Sequence, residues 1–173
     1  MRFSLVLATI GRVDEVRRFL ESLDSQTYRK FELIVVDQNQ DDRLFPILAA
    51  YHEKFSIFHL GAEPGLSRAR NAGLIHITGD VVAFPNDDCW YPPGLLERIA
   101  GFLRERPELD GLTGRVIDEQ GGTGTARFDK KPGLLSLANV WERAAAVTLF
   151  LRRGTVEGVG EFDEALGVGA GTS

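Results

Sequence analysis

Four short apolar runs, at residues 3–8, 31–36, 55–60 and 81–85, are each followed by a stretch of helical character. That alternation constrains the fold more than any other feature of the chain. From Val13 onward, Val13, Val16, Leu20 and Leu23 share one helical face, with Asp14 and Glu15 in a first turn that favours negative charge. Pro46 suits the first turn of a second helix reaching about His52. Gly65 precedes a third, over 66–77, and Gly79-Asp80 turns the chain into the fourth run. Pro92-Pro93 opens a fourth helix with Leu95, Leu96, Ile99, Phe102 and Leu103 on its core face. Strand and helix in strict alternation imply right-handed crossovers and an α/β fold with a mostly parallel central sheet flanked by helices.

The carboxyl third is less regular. Residues 112–117 read as a strand, 144–151 as an antiparallel strand whose alanines also tolerate helix, 121–125 as a mobile loop and 167–173 as a flexible glycine-rich tail. With 173 residues the chain has enough length for one domain and little for two. A net charge of -5, with the basic residues scattered, argues against nucleic acid as a partner. Cys89 is the only cysteine, which excludes an internal disulfide and fits a reducing compartment. No apolar run has the length of a membrane helix, and the amino terminus enters a strand without a signal-like segment. These features lead us to expect a cytoplasmic protein.

Three strand ends carry polar residues: Thr9 to Arg12, Asp37 to Gln40, and Asn86 to Asp88. In a parallel sheet all three lie on one rim, and ligands bind outside the carboxyl ends of strands. Asp87 and Asp88 are adjacent carboxylates that repel each other unless a cation or a hydrogen-bonding ligand offsets the repulsion. Their hard oxygen donors suit Mg²⁺ or Mn²⁺, which in turn bridge phosphates. Asn-Asp-Asp is also good turn chemistry. Cys89 is a soft ligand ill matched to Mg²⁺. The histidines His52, His59 and His76 have no metal-like spacing and read as core or surface residues.

The segments Leu7-Ala8-Thr9-Ile10-Gly11-Arg12, Leu20-Glu21-Ser22-Leu23-Asp24-Ser25-Gln26-Thr27-Tyr28, Phe31-Glu32-Leu33-Ile34-Val35-Val36-Asp37, Gly65-Leu66-Ser67-Arg68-Ala69-Arg70-Asn71-Ala72-Gly73 and Gly79-Asp80-Val81-Val82-Ala83-Phe84-Pro85-Asn86-Asp87-Asp88 follow one another in a familiar order. Together they resemble the inverting nucleotide-sugar glycosyltransferases of family 2, which have the GT-A fold. The resemblance covers about the first hundred residues. It implies a GT-A domain over 1–173, with a nucleotide-sugar-binding part at 1–105 and an incomplete acceptor-side part at 106–173.

By that resemblance Thr9 contacts the base or backbone of the nucleotide and Asp37 the ribose or base. Gln38 replaces a second acid common in the family, and its amide still reads a pyrimidine edge. Arg68 is the favoured arm to the diphosphate, with Arg70 the alternative, and each has a surface salt bridge as its bland reading. Asp88 is the metal ligand, for Mg²⁺ or Mn²⁺, and Asp87 contacts ribose or a metal-bound water. The implied donor is a nucleoside diphosphate sugar, with UDP or dTDP favoured. The implied acceptor is a glycan, a lipid-linked molecule or a small molecule, which allows peripheral work at the inner face of a membrane.

The family's general base follows a later acidic segment. Residues 159–167 resemble the stretch before it, but no carboxylate follows Gly167, so we assign no base and expect the chain to be a truncated form. Two rivals remain at this point. A sugar nucleotidyltransferase usually has a glycine-rich loop with Arg and Lys after its first strand, and Thr9 to Arg12 is too short for one. A non-catalytic nucleotide-sugar-binding module keeps the donor rim and lacks the base.

Overall fold

The computed structural model describes residues 1–118, 120–122 and 131–169. Strands β1 (Phe3–Thr9), β2 (Phe31–Asp37), β3 (Ser56–Gly61), β4 (Val81–Ala83), β5 (Gly111–Thr113) and β6 (Leu149–Arg152) form one sheet in the order β3-β2-β1-β4-β6-β5. The first four run parallel, and β6 is antiparallel to both β4 and β5. β1 and β2 are interior strands and are apolar almost throughout, because both of their faces are covered. β3 lies at the edge and is mostly exposed, with Ile57 and Leu60 half-buried.

Helices α1 (Asp14–Asp24), α2 (Phe45–Ala49) and α4 (Leu95–Glu105) cover one face, where Val16, Phe19, Leu20, Leu48, Leu96 and Leu103 pack on Phe3, Leu5 and Leu7. The other face carries α3 (Leu66–Leu74) and α6 (Arg153–Val159), around Val6, Ile34, Val36, Val82 and Phe84. α3 sits close to the sheet because Gly73 faces it. A β-carbon there would stand 2.4 Å from Val6 Cγ1 and 3.1 Å from Val36 Cγ2. That close seat sets where the amino end of α3 meets the rim.

Several elements differ from the sequence expectation. α3 stops at Leu74, because His76 and Ile77 N–H bond back only three residues, to Gly73 and Leu74 carbonyls. Of the antiparallel strand expected at 144–151 only 149–151 is strand, in β6, and it is preceded by a single 3₁₀ turn (Ala146–Thr148) and, upstream, by α5 (Val140–Arg143). Thr148 Oγ1 donates to Ala145 O at 2.8 Å and accepts from Ala145 N–H at 3.2 Å, closing the turn that interrupts the extended run. β5 ends at Thr113 rather than 117. Gly114 N–H takes the Thr148 carbonyl, where the partner strand gives way to the turn. Phe102, expected in the core, is 40% exposed and lies under the Arg106 guanidinium at 4.3 Å. Parts of the expected loop, at 123–125, and of the expected tail, at 170–173, fall outside the described residues. Among the described residues no helix is long and apolar enough to cross a membrane.

At the end of the sheet opposite the acidic pair, a buried carboxylate ties β1, β2 and the entry to β4 together. Glu32 accepts from Ser4 Oγ, Thr78 N–H (2.8 Å), Thr78 Oγ1 and Arg2 (2.9 Å). Burial disfavours its charge, but the Ser4 and Thr78 hydrogen bonds and Arg2 outweigh that and hold its carboxyl below the usual carboxylate range. A depressed folded pKa stabilises the fold above the unfolded value of about 4.3, and this contribution fades as pH falls through the folded value. Glu32→Gln turns an acceptor into a donor facing Ser4 and Thr78. We expect it to cost ~1–3 kcal/mol at pH 7 in denaturant unfolding, with the gap to wild type closing below about pH 4. A gap that stays constant with pH means that charge is not what Glu32 contributes.

Candidate active site at the carboxyl rim

Parallel register brings the polar strand ends to one line. Thr9 stands opposite Asp37 and Asp37 opposite Gly61, while an isolated bridge pairs Ala8 with Asn86 beyond the end of β4. β1 leads to β2 and β3 on one side and borders β4 on the other, so the strand order reverses between β1 and β4. The acidic pair lies at that crevice, the place where open α/β sheets bind ligands. β4 stops early for a local reason, since Pro85 has no N–H for a ladder bond.

The acids are held from the β1 side. Thr9, fully buried, donates its hydroxyl to Asp87 Oδ2 at 2.7 Å. Gly11, with φ of 70°, reverses the chain so that Arg12 turns back over the same carboxylates. One guanidinium nitrogen of Arg12 lies 2.8 Å from Asp87 Oδ1 and 2.9 Å from Asp88 Oδ2. The hydrogen bond to Asp88, with the charges of Asp87 and Asp88, raises the guanidinium pKa above its ordinary value. Asp87 is buried, whereas the Asp88 side chain is 51% exposed and faces outward. Burial, and then Asp88, push the Cys89 thiol up to about 11, so it is a neutral packing group at neutral pH.

Asp37 is the second polar centre. Its Oδ1 accepts from Asn39 N–H (2.9 Å) and Asn39 Nδ2 (2.6 Å), and its Oδ2 lies 3.0 Å from His59 Nε2. Asn39 Oδ1 in turn accepts from Gly11 N–H at 2.7 Å, linking the Asp37 loop to the Arg12 turn. Gln38, also buried, donates to Thr9 O at 3.3 Å and accepts Gly65 N–H at 2.7 Å. It therefore ties β1, β2 and the start of α3.

Thr9, Asp37, Gln38, Asp87 and Asp88 thus gather along one rim. Arg68 lies one turn into α3, and its ion pair is with Glu164 at 3.4 Å. Glu164 also accepts from Asn71 Nδ2 at 3.2 Å, and Asn71 exchanges bonds with the Phe162 backbone at 2.8 and 2.9 Å. Ser67 Oγ adds a bond to Leu166 O, so residues 162–166 are laced onto α3. Arg70 is 8% exposed, with its guanidinium 5.8 Å from the Phe84 ring and 5.4 Å from the Phe162 ring. Desolvation lowers its pKa.

Arg12, Asn39, His59 and Glu164 had no contact foreseen from sequence. The signal that finds His59 is strand register: it lies across from Val35, two residues before the Gly61–Asp37 pair.

Chemically the rim offers a hydroxyl, three acids and an amide around a crevice, with one cation already seated between two of the carboxylates. That convergence of Asp87 Oδ1 and Asp88 Oδ2 on one cationic atom fits a divalent ion that takes its remaining ligands from water or phosphate. Among the described residues no group of three or more His, Cys, Asp or Glu side chains is placed to hold a metal alone.

Comparison with known proteins agrees with this architecture. Glycosyltransferase AglE of Haloferax volcanii is 27% identical over 171 residues, covering 94% of this chain and 56% of AglE. The crystal structure of S. aureus TarS 1-349 in complex with UDP superposes with a TM-score of 0.78 at 23% identity, covering 98% of this chain and 52% of that one. Mannosyltransferase PcManGT from Pyrobaculum calidifontis, in complex with GDP-Man and Mn²⁺, gives a TM-score of 0.74 at 20% identity, over 98% and 49% of the two chains. At those identities the two structures speak for the GT-A fold alone. The chain spans about half the length of each of these proteins. The family model described as "Glycosyl transferase family 2" matches residues 4–158, and the chain belongs to that family.

Proposed function

We propose that this chain binds a nucleoside diphosphate sugar at the β1–β4 crevice and belongs to a glycosyltransferase that inverts the sugar's anomeric centre. The observation that carries the reading is the buried bond from Thr9 to Asp87, which joins the polar end of β1 to the acidic pair at the β1–β4 crevice. Asp37, held by Asn39 and His59, is the ribose or base contact, and Thr9 with Gln38 frames the base. Gln38 keeps an amide N–H and an oxygen lone pair beyond its present bonds, enough to read a pyrimidine edge. UDP or dTDP is the favoured carrier.

Asp88, with Asp87, would hold Mg²⁺ or Mn²⁺. A cation bound there supplies Lewis-acid stabilisation of the charge that builds on the leaving diphosphate. Arg68 serves the diphosphate once it parts from Glu164, and exposure of both side chains permits that. PcManGT, by its Mn²⁺ and GDP-Man, and TarS, by its UDP, lend support by likeness of fold. The acceptor, a glycan, lipid-linked or small molecule, gives up a hydroxyl proton to a carboxylate base on the far side of the sugar.

A second reading, donor binding without transfer, draws on the engagement of the rim carboxylates. Asp37 is bonded to Asn39 and His59, Asp87 to Thr9 and Arg12, and Glu164 to Arg68 and Asn71. A turnover assay across acceptors separates the two. Glycoside product carries the first reading, and saturable donor binding with no product carries the second.

Thermal shift tests the base. Saturation at 100 times Kd adds ~2.7 kcal/mol, or roughly 5–10 °C for a chain of this size. UDP and dTDP with Mn²⁺ are expected to give that shift and ADP and GDP a smaller one. A preference for ADP or GDP means that the base site has been misassigned.

Calorimetry tests the acidic pair. UDP affinity is expected to fall on chelation with EDTA. Asp88→Asn should lower Mn²⁺-supported affinity by roughly 10-fold or more, the size of one lost charge-assisted contact, and abolish the effect of EDTA. Equal affinity with EDTA and with Mn²⁺ in the wild type contradicts the assignment.

A further inference from the structure

Arg12 occupies the point on which the two acids converge. A single guanidinium nitrogen touches Asp87 Oδ1 and Asp88 Oδ2, so a cation bridging those oxygens and the guanidinium cannot be present together. Among the described residues, the ion pairs of Arg12 are to these two acids alone. Its neighbours on the rim are fixed: Thr9 is fully buried and Asp87 nearly so. Arg12, by contrast, has a 44% exposed side chain on a turn beside Gly11, and can swing without disturbing the core.

Resting on the donor reading above, we propose that Arg12 is the resident counter-ion of Asp87 and Asp88 in the nucleotide-free protein. It gives way to the divalent cation when donor binds, and its guanidinium then turns to the donor's diphosphate. The exchange follows from charge accounting at one rim. A metal arriving alone must evict a guanidinium whose ion pairs, among the described residues, are to these two acids alone. A metal arriving with a diphosphate brings phosphate oxygens for which a planar guanidinium is a good match. Two carboxylates are also few ligands for a hard cation, which gains from the same phosphates. Metal and nucleotide therefore bind with positive coupling, and Arg12 is a positioning residue that sets its size. By linkage, each tightens the other by the same factor.

Electron paramagnetic resonance of free Mn²⁺, titrated with and without UDP, reads this without any turnover. Without UDP, Arg12→Gln is expected to bind Mn²⁺ ~10-fold more tightly than wild type, within the usual span of coupling between sites. The tightening that UDP produces in wild type should shrink by a similar factor in the variant. Arg12→Lys keeps the charge and is expected to stay near wild type, which assigns the gain to loss of the counter-ion. Arg12→Gln binding Mn²⁺ no more tightly than wild type in the absence of UDP overturns the exchange. Asp88→Asn distinguishes that outcome from failure of the donor reading. If it removes UDP-supported Mn²⁺ binding while Arg12→Gln changes nothing, only the exchange falls. If Mn²⁺ binding with UDP is indifferent to Asp88→Asn, the metal assignment falls and takes the exchange with it.

Discussion

The hydroxyl of Thr9 reaches across the gap between β1 and β4 to Asp87, and the site depends on that bond. Two adjacent carboxylates at the end of a buried strand make the local potential negative and repel each other. Thr9, the last residue of β1, and Arg12, in the turn that follows, make the arrangement tolerable. The turn is placed by the sheet. Innermost β1, apolar on both faces, pairs in parallel with β2 and β4, so residue 9 arrives level with residue 37 while residue 8 meets residue 86. Burial of the core fixes the register, and the register fixes the chemistry of the rim.

A second layer of bonds keeps that rim in shape. Asn39 bridges Asp37 to Gly11, and Gln38 bridges Thr9 to Gly65, so the ends of β1 and β2 and the start of α3 share one network. The links through Asn39 and to Gly65 are short, at 2.6–2.7 Å, and the Gln38–Thr9 bond is buried, where a polar group is costly to leave unpaired. α3 is then tied to residues 162–166 through Ser67, Arg68 and Asn71. The carboxyl-terminal segment thus reaches α3 through exposed pairs such as Arg68 with Glu164.

Much of this was legible in the sequence because parallel strands buried on two faces need unbroken apolar runs. The four strands of the amino-terminal part, and the gathering of Thr9, Asp37 and Asp87 at their ends, followed from that rule alone. What escaped was set by contacts far apart in the chain. Arg12 and Asp87 are 75 residues apart, and nothing near Arg12 announces its partner. His59 read as a core or surface residue because its bond to Asp37 exists only after β2 and β3 have paired. α6 was hidden by Gly154 and Gly158, which weaken helix propensity, yet Val156 packs on the sheet and tertiary burial prevails. Phe102 failed in the opposite sense, for its helical period suited the core while the side chain lies outward against Arg106.

The proposed function requires a divalent cation and a nucleoside diphosphate to meet at Asp87 and Asp88. Anomalous diffraction at the manganese edge, from crystals grown with Mn²⁺ and UDP, measures that directly. A peak about 2.0–2.3 Å from an Asp88 carboxylate oxygen, shared with diphosphate oxygens at the β1–β4 crevice, is the expected result. UDP bound at the rim with no manganese against either acid, or manganese bound elsewhere, would contradict it.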